Sequence, residues 1–136
     1  MLDSVVSALV DASTSLINSG NYTGAIKNLD KALSIDPNNV GALTNKGRAL
    51  DHLDNYIEAT KYIDKALAIN PDYVPALENK GIILFDTSNR TEAKKYIDKA
   101  LSLGRKDRSV NSHDELELTT KGIALRQLGN YTQAIQ

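Results

Sequence analysis

The chain has 136 residues, a hydrophobic fraction of 41% and a formal net charge of −1. This nearly balanced charge provides no basic field for phosphate backbones, so we exclude nucleic acid as a partner. The sequence contains no cysteine, which excludes disulfides and thiolate chemistry and favours a reducing, cytoplasmic location.

The weakly apolar run Val5–Val10 opens the first predicted unit. It is flanked by Asp3 and Asp11 and has no basic leader, so we expect neither a signal peptide nor a membrane span.

The second unit shows the predicted helices most clearly. Apolar and small residues recur with helical spacing from Ala42 to Leu53, and again from Ile57 to Ile69. Pro71 then ends the second helix, because proline cannot continue the hydrogen-bond ladder. The residues predicted to form the apolar face of this second helix are Ile57, Ala59, Tyr62, Ile63, Ala66, Leu67 and Ile69.

This pattern returns at a constant interval along the chain. Ala25, Ala59 and Ala93 keep that interval, as do Pro37 and Pro71. A period of about 34 residues is typical of stacked helix–turn–helix units. We therefore predict a single domain over 1–136, with full repeats near 6–39, 40–73 and 74–107, a partial fourth repeat over 115–136 and a polar insertion near 104–114.

Glycines and asparagines mark two further features of each unit. Gly47, Gly81 and Gly122 stand at one point of the first helix, where glycine costs about 1 kcal/mol relative to alanine. We therefore expect another helix to cross there too closely for a side chain. Asparagines between the helices are typical N-caps, and Asn55 with Glu58 has the pattern of a capping box. The four asparagines are Asn21, Asn55, Asn89 and Asn130.

In these features the chain resembles the tetratricopeptide repeat family. The second unit matches the family's pattern through Leu43, Gly47, Leu50, Tyr56, Ala59, Ile63, Ala66 and Pro71. The resemblance implies an all-α fold, namely a right-handed superhelical α-solenoid of helix–turn–helix repeats with three full repeats and a partial fourth. It also implies a non-catalytic scaffold for other proteins, with a concave groove along the first helices that holds a peptide or a partner helix.

Two asparagines stand on the face of the first helices that lines this groove. Asn45 and Asn79 are one repeat period apart, opposite the glycines. An amide side chain can both donate to and accept from an extended peptide backbone, which predicts a ligand-binding ladder. The alternative is that both amides are simply solvated.

The same face carries charged and apolar residues. Arg48 is expected to pair with Asp51 one turn on. Ile82, Phe85 and Ile123 suggest a pocket for an apolar side chain, although Phe85 is equally compatible with the inter-repeat core. The predicted groove residues together are Asn45, Arg48, His52, Asn79, Ile82, Phe85, Ile123 and Arg126.

Catalytic, cofactor and metal sites are not expected. His52 and His113 lie in different units without histidine or cysteine partners, whereas zinc needs three or four such ligands. No glycine-rich phosphate loop occurs. The lysines of the second helices neighbour Asp30, Asp64 and Asp98, which predicts a self-neutralised, solvated convex face.

One subfamily of tetratricopeptide repeat proteins binds the acidic C-termini of chaperones through a carboxylate clamp of lysines, asparagines and an arginine. In this chain Val10, Thr14, Pro75 and Asn79 stand at clamp positions where other residues are needed, and only Asn45 fits. We therefore reject the clamp for this chain.

The leading hypothesis is a module that binds a protein or peptide in the groove, without a membrane partner. A repeat end without its cap exposes apolar surface, so homo-oligomerisation through Leu118 and Leu125 of the C-terminal repeat is an alternative. A further alternative is that the chain is the interaction part of a larger protein, with its effector domain outside this sequence.

Overall fold

The computed structural model describes residues 2–106, which contain six α-helices and no strand. The helices are α1 (Leu2–Asn18), α2 (Tyr22–Ile35), α3 (Val40–His52), α4 (Tyr56–Ile69), α5 (Val74–Asp86) and α6 (Arg90–Lys106). The predicted fourth repeat lies outside the described residues, as does the part of the predicted insertion beyond Lys106. None of the described helices combines the length and apolar character that a membrane span requires.

Successive helices pack as pairs, α1 with α2, α3 with α4 and α5 with α6. Each first helix also contacts the next first helix, α1 with α3 and α3 with α5. The second helices α2 and α4 pack against the following first helices but make no comparable contact with each other. The result is an inner layer of first helices and an outer layer of second helices, which confirms the predicted all-α solenoid of helical repeats.

The core of each pair is built from small and branched residues at the repeat interval. In α4, Ala59, Ile63 and Ala66 are completely buried. Ile57 was predicted to share that apolar face but is 85% exposed. Since each residue turns the helix by about 100°, a residue two positions before Ala59 lies on nearly the opposite side.

The predicted helix crossings are confirmed at two of the three glycines. A Cβ built on Gly47 would lie 2.6 Å from Cγ1 and Cδ1 of Ile63, and one on Gly81 would lie 2.6 Å from Cδ1 of Ile97. The crossing partner is therefore the second helix of the same pair. Gly122 lies outside the described residues.

The turns inside the three pairs share one conformation. Gly20, Asp54 and Ser88 have φ values of 88°, 61° and 67°, the left-handed region that ends many helices. The following amide then donates to a carbonyl five residues back, as Asn55 N does to Leu50 O at 2.9 Å.

Side-chain capping differs from the sequence prediction. Asn21 caps α2, because its side chain accepts from the amide of Gly24 at 3.0 Å. Asn55 makes no such bond, so the predicted capping box with Glu58 was wrong in that respect. Asn39 caps α3 by accepting from the amide of Ala42 at 2.9 Å.

Candidate peptide-binding face

The first helices present a row of mostly polar side chains, which we call the inner face: Thr14 and Asn18 on α1, Asn45, Arg48 and His52 on α3, and Asn79 and Ile82 on α5. Asn18 and His52 are exposed and the others are half-buried. Because α3 contacts both α1 and α5, these residues belong to one continuous layer of the fold.

Asn45 links α3 to α1. Its amide nitrogen donates to Thr14 Oγ1 at 3.0 Å and to Ser13 Oγ at 3.3 Å. Both hydroxyls in turn donate to the carbonyl of Val10, so lone pairs remain for the amide. The Asn45 carbonyl oxygen accepts no hydrogen bond from residues 2–106 and keeps its accepting capacity.

Asn79 occupies the equivalent position on α5 but bonds within its own helix. Its amide nitrogen donates to the carbonyl of Pro75 at 2.7 Å. The positions on α3 that correspond to Ser13 and Thr14 are Gly47 and Arg48, which offer no hydroxyl group to Asn79. The two asparagines therefore share a repeat position but have different internal partners.

Arg48 does not form the predicted pair with Asp51. Its Nη2 atom donates instead to Asn18 Oδ1 on α1, at 3.2 Å. The long guanidinium side chain reaches the neighbouring first helix, an interaction that spacing along one helix cannot reveal. Asp51 is thus left without this cation.

His52 stacks on Tyr22, the first residue of α2. The ring centroids are 4.6 Å apart and the planes differ by 4°. Burial lowers the pKa of His52 and the positive charge of Arg48 lowers it further, against the opposite influence of Asp86. The imidazole is therefore neutral at neutral pH.

The predicted apolar pocket is only partly present in the described residues. Ile82 is half-buried, whereas Phe85 is 9% exposed and packs against Ala93 and Ile97 of α6. Phe85 is therefore a core residue and not part of an open pocket, and its described partners lie within the third helix pair, whereas the alternative expected a core between repeats. Ile123 and Arg126 lie outside the described residues, as does the C-terminal repeat end predicted to self-associate.

An ion-pair ladder joins successive units and was missed at the sequence level. Lys46 Nζ lies 2.5 Å from Asp30 Oδ1 and donates to Tyr62 Oη at 3.0 Å. Lys80 repeats the pair with Asp64 at 2.6 Å. Burial lowers the pKa of Lys46, but the hydrogen bonds from its ammonium to Asp30 and Tyr62 outweigh this and leave the pKa raised.

This ladder corrects the prediction that these aspartates are neutralised by lysines of their own helices. Asp30 and Asp64 pair instead with the first helix of the next unit. The two lysines are one repeat period apart and so are the two aspartates, which is the signal that would have revealed the ladder.

A metal site is not formed in the described part of the chain. Among residues 2–106, no three histidine, cysteine, aspartate or glutamate side chains are grouped so that they could hold an ion. The predicted site residues offer amide, guanidinium and imidazole groups, which suit hydrogen bonding to a ligand.

Comparisons with solved structures show the same fold in several proteins. A Thermobaculum terrenum O-GlcNAc transferase matches with a TM-score of 0.72 and 22% identity over 76% of this chain, which spans only 20% of that protein. The first TPR of Spaghetti (RPAP3), bound to the HSP90 peptide SRMEEVD, matches with a TM-score of 0.69 and 23% identity, covering 87% of this chain and 94% of that one. The Yersinia enterocolitica type III secretion translocator chaperone SycD matches with a TM-score of 0.77 and 13% identity, covering 94% and 95%.

No curated protein matches the sequence. Family models do match, in consecutive stretches: a TPR repeat model over residues 15–51, and tetratricopeptide repeat models over residues 40–73 and 74–107. Together they span residues 15–107, the stretch that contains α2 to α6, both described glycine crossings and most of the inner face. The chain therefore belongs to the tetratricopeptide repeat family.

Proposed function

We propose that this chain is a non-catalytic interaction module that binds an extended peptide segment of a partner protein along the inner face. The observation that carries this proposal is the pair Asn45 and Asn79, which stand at the same repeat position on the adjacent helices α3 and α5. Neither carbonyl oxygen accepts a hydrogen bond from residues 2–106. Each can therefore accept from a peptide N–H.

The spacing of the two asparagines suits an extended chain. Packed helices lie about 8–10 Å apart, and an extended peptide rises about 3.3 Å per residue. Asn45 and Asn79 would thus meet peptide residues about three positions apart. At about 0.5–1.5 kcal/mol net per hydrogen bond, the two contacts give roughly tenfold to a hundredfold in affinity for any sequence.

The peptide-bound Spaghetti structure supports peptide binding as the general mode. Its HSP90 ligand, SRMEEVD, is acidic, and the residues of this chain do not favour such a ligand. Val10, Thr14 and Pro75 stand at positions where a carboxylate clamp needs a lysine, an asparagine and a lysine. We therefore propose a peptide ligand other than an acidic C-terminus, bound in the cytoplasm.

In the experiment, peptides are selected from a random 12-residue display library on the immobilised chain. The affinity of each selected peptide for the chain is then measured by calorimetry. Asn79→Ala should lower the affinity for the selected peptides about tenfold, and Asn45→Ala should lower it by a similar factor. Asn79→Ala is the cleaner variant, because its amide nitrogen bonds only within α5. Asn45→Ala also loses two bonds to α1, so its folding is checked by circular dichroism.

The matched control is Lys61→Ala with Lys65→Ala, two exposed residues of α4 on the outer layer. These changes should leave peptide affinity unaltered. If they abolish binding while Asn79→Ala does not, the ligand site lies on the outer layer and the proposal is wrong.

A further inference from the structure

Asp51 on α3 is a buried carboxylate at a position that packing does not require to be polar. It is only 8% exposed. Ile17 and Phe85 stand one repeat period before and after it and are buried at 3% and 9%. Because the neighbouring units fill this position with apolar side chains, the fold itself has no need of a charge there.

The neighbours of Asp51 are acidic. Its carboxyl group lies within hydrogen-bonding reach of Asp86 on α5 and near Asp54 in the turn after α3. The Oδ1 atom of Asp51 is buried and has no hydrogen-bond partner among the described residues. The nearby hydroxyl of Tyr56 donates to Asp54 Oδ1 at 3.0 Å.

The charged groups that act most strongly on Asp51 are the carboxylates of Asp86 and Asp54. Arg48 is bonded to Asn18 on the other side of α3, and His52 is held neutral by burial and by Arg48. Burial and the negative charge of Asp86 raise the pKa of Asp51 to about 7. Two adjacent carboxylates avoid repulsion either by sharing a proton or by binding a cation.

We propose that Asp51 and Asp86 form a receiving site for one basic side chain, arginine or lysine, of a bound peptide. Asp86 is exposed, and both residues lie on first helices, the layer that carries the inner face, so the proposed ligand would meet Asp86 first. This inference rests on the proposed function and adds the charge of the ligand to it.

A basic side chain fits this pair better than a metal ion does. The described residues contain no group of three carboxylate or imidazole ligands able to hold a metal. A guanidinium, by contrast, offers several N–H donors in a plane and can bond two carboxylate oxygens at once. The exposed carboxylate of Asp86 supplies the accessible acceptor, and the buried carboxyl group of Asp51 behind it adds a second negative charge.

The experiment titrates the ¹⁵N-labelled chain with Nα-acetyl-arginine N-methylamide, a probe without terminal charges, and follows amide resonances by NMR. At about pH 8, where the pair is ionised, the probe should shift the resonances of residues 51–54 and 86. Binding should weaken about tenfold at about pH 5.5, where a shared proton competes. The citrulline analogue, which has the same shape and no charge, should not bind.

The variant is Asp51→Asn, and its matched control is Asp98→Asn, an exposed aspartate on α6 outside the cluster. Asp51→Asn should lower the affinity for the arginine probe at least tenfold. It should also raise the melting temperature at about pH 8, because it removes a buried charge. Loss of binding in a more stable protein separates a ligand role from a structural one. Asp98→Asn should change neither quantity.

Three results of the probe titrations would overturn the inference. They are equal binding of the arginine probe to parent and Asp51→Asn, equal binding of the citrulline analogue, and saturation by calcium that the arginine probe cannot displace. Peptides that bind the inner face without any basic residue would also overturn it and would leave the proposed function intact. Specific probe binding with no selected peptide would support the receiving site and count against the peptide groove.

Discussion

The crossing of α3 and α4 gives a quantitative prediction for Gly47→Ala. By helix propensity alone this change should stabilise the protein by about 1 kcal/mol. The packing opposes it, because the new Cβ would lie 2.6 Å from two carbons of Ile63 and 3.0 Å from the carbonyl oxygen of Ala59. Favourable carbon–carbon separations are about 3.5–4.0 Å, so roughly 1 Å of overlap must be relieved.

Relief is difficult because Ile63 is completely buried and the carbonyl of Ala59 is backbone. Overpacking of this kind costs about 1–3 kcal/mol, and an off-rotamer isoleucine adds about 0.5–1.5 kcal/mol. After the propensity gain is subtracted, we expect Gly47→Ala to lower the unfolding free energy by about 0.5–3.5 kcal/mol. The melting temperature should fall by about 5 °C per kcal/mol.

The assay is thermal and urea unfolding followed by circular dichroism. Gly81→Ala should lower the unfolding free energy less than Gly47→Ala does. Its new Cβ would lie 3.3 Å from the nearest backbone atom, the carbonyl oxygen of Ala93. Ile63→Val removes Cδ1, so the double variant with Gly47→Ala should lose less than the sum of the single changes. Gly41→Ala at the start of α3 is the control: its Cβ would meet only side-chain atoms, the nearest being Asn39 Oδ1 at 3.3 Å, so this change should not lower the unfolding free energy. A Gly47→Ala protein as stable as its parent would refute the close-crossing argument.

The turns, the buried carboxylate and the inter-repeat ion pairs each give a further measurable prediction. Ser88→Gly should raise the unfolding free energy by about 0.5–1 kcal/mol in urea titrations, because Ser88 holds a left-handed φ of 67°; an unchanged value would show that the turn is unstrained. The folded pKa of Asp51, about 7, lies above its ordinary value of 3.8, so the folded state binds the proton more tightly and stability should fall as pH rises from about 4 to about 7. After solvent screening we expect a fall of about 1–2 kcal/mol, which Asp51→Asn should remove; equal pH profiles for the two proteins would contradict this assignment. Lys46→Met should cost about 0.5–1.5 kcal/mol at low salt and less at about 1 M salt, where the pair with Asp30 is screened; an equal loss at both salts would attribute the effect to packing.

The fold was predictable because its main signals do not depend on tertiary context. A glycine inside a helix is costly wherever it stands, so the recurrence of Gly47 and Gly81 indicates a close crossing before any coordinates are known. Ala59 and its repeats mark the buried face in the same way. Ile57 shows where such reasoning fails, since a displacement of two residues along a helix reverses the side on which it lies.

The candidate site was less predictable, because partners on other helices decide what each side chain does. Asp51 had a plausible partner one turn earlier in Arg48, and the sequence alone favours that local pair. In the structure Arg48 donates a hydrogen bond to Asn18 on α1 instead, and the neighbour of Asp51 is Asp86 on α5. Comparison of Asp51 with Ile17 and Phe85 at the same repeat position would have marked it as unusual.

The arrangement of helix contacts has a consequence for how the chain reaches its native state. Every extensive contact in residues 2–106 joins helices one or two positions apart along the chain. Even the bond from Asn45 on α3 to Ser13 on α1 closes a segment of only 32 residues. Contact order is therefore low, loop-closure entropy is small, and rapid folding is expected for such a topology. Nucleation can begin at any helix pair and spread to its neighbours, so whole pairs can be gained or lost in evolution while the contacts of the remaining pairs are preserved.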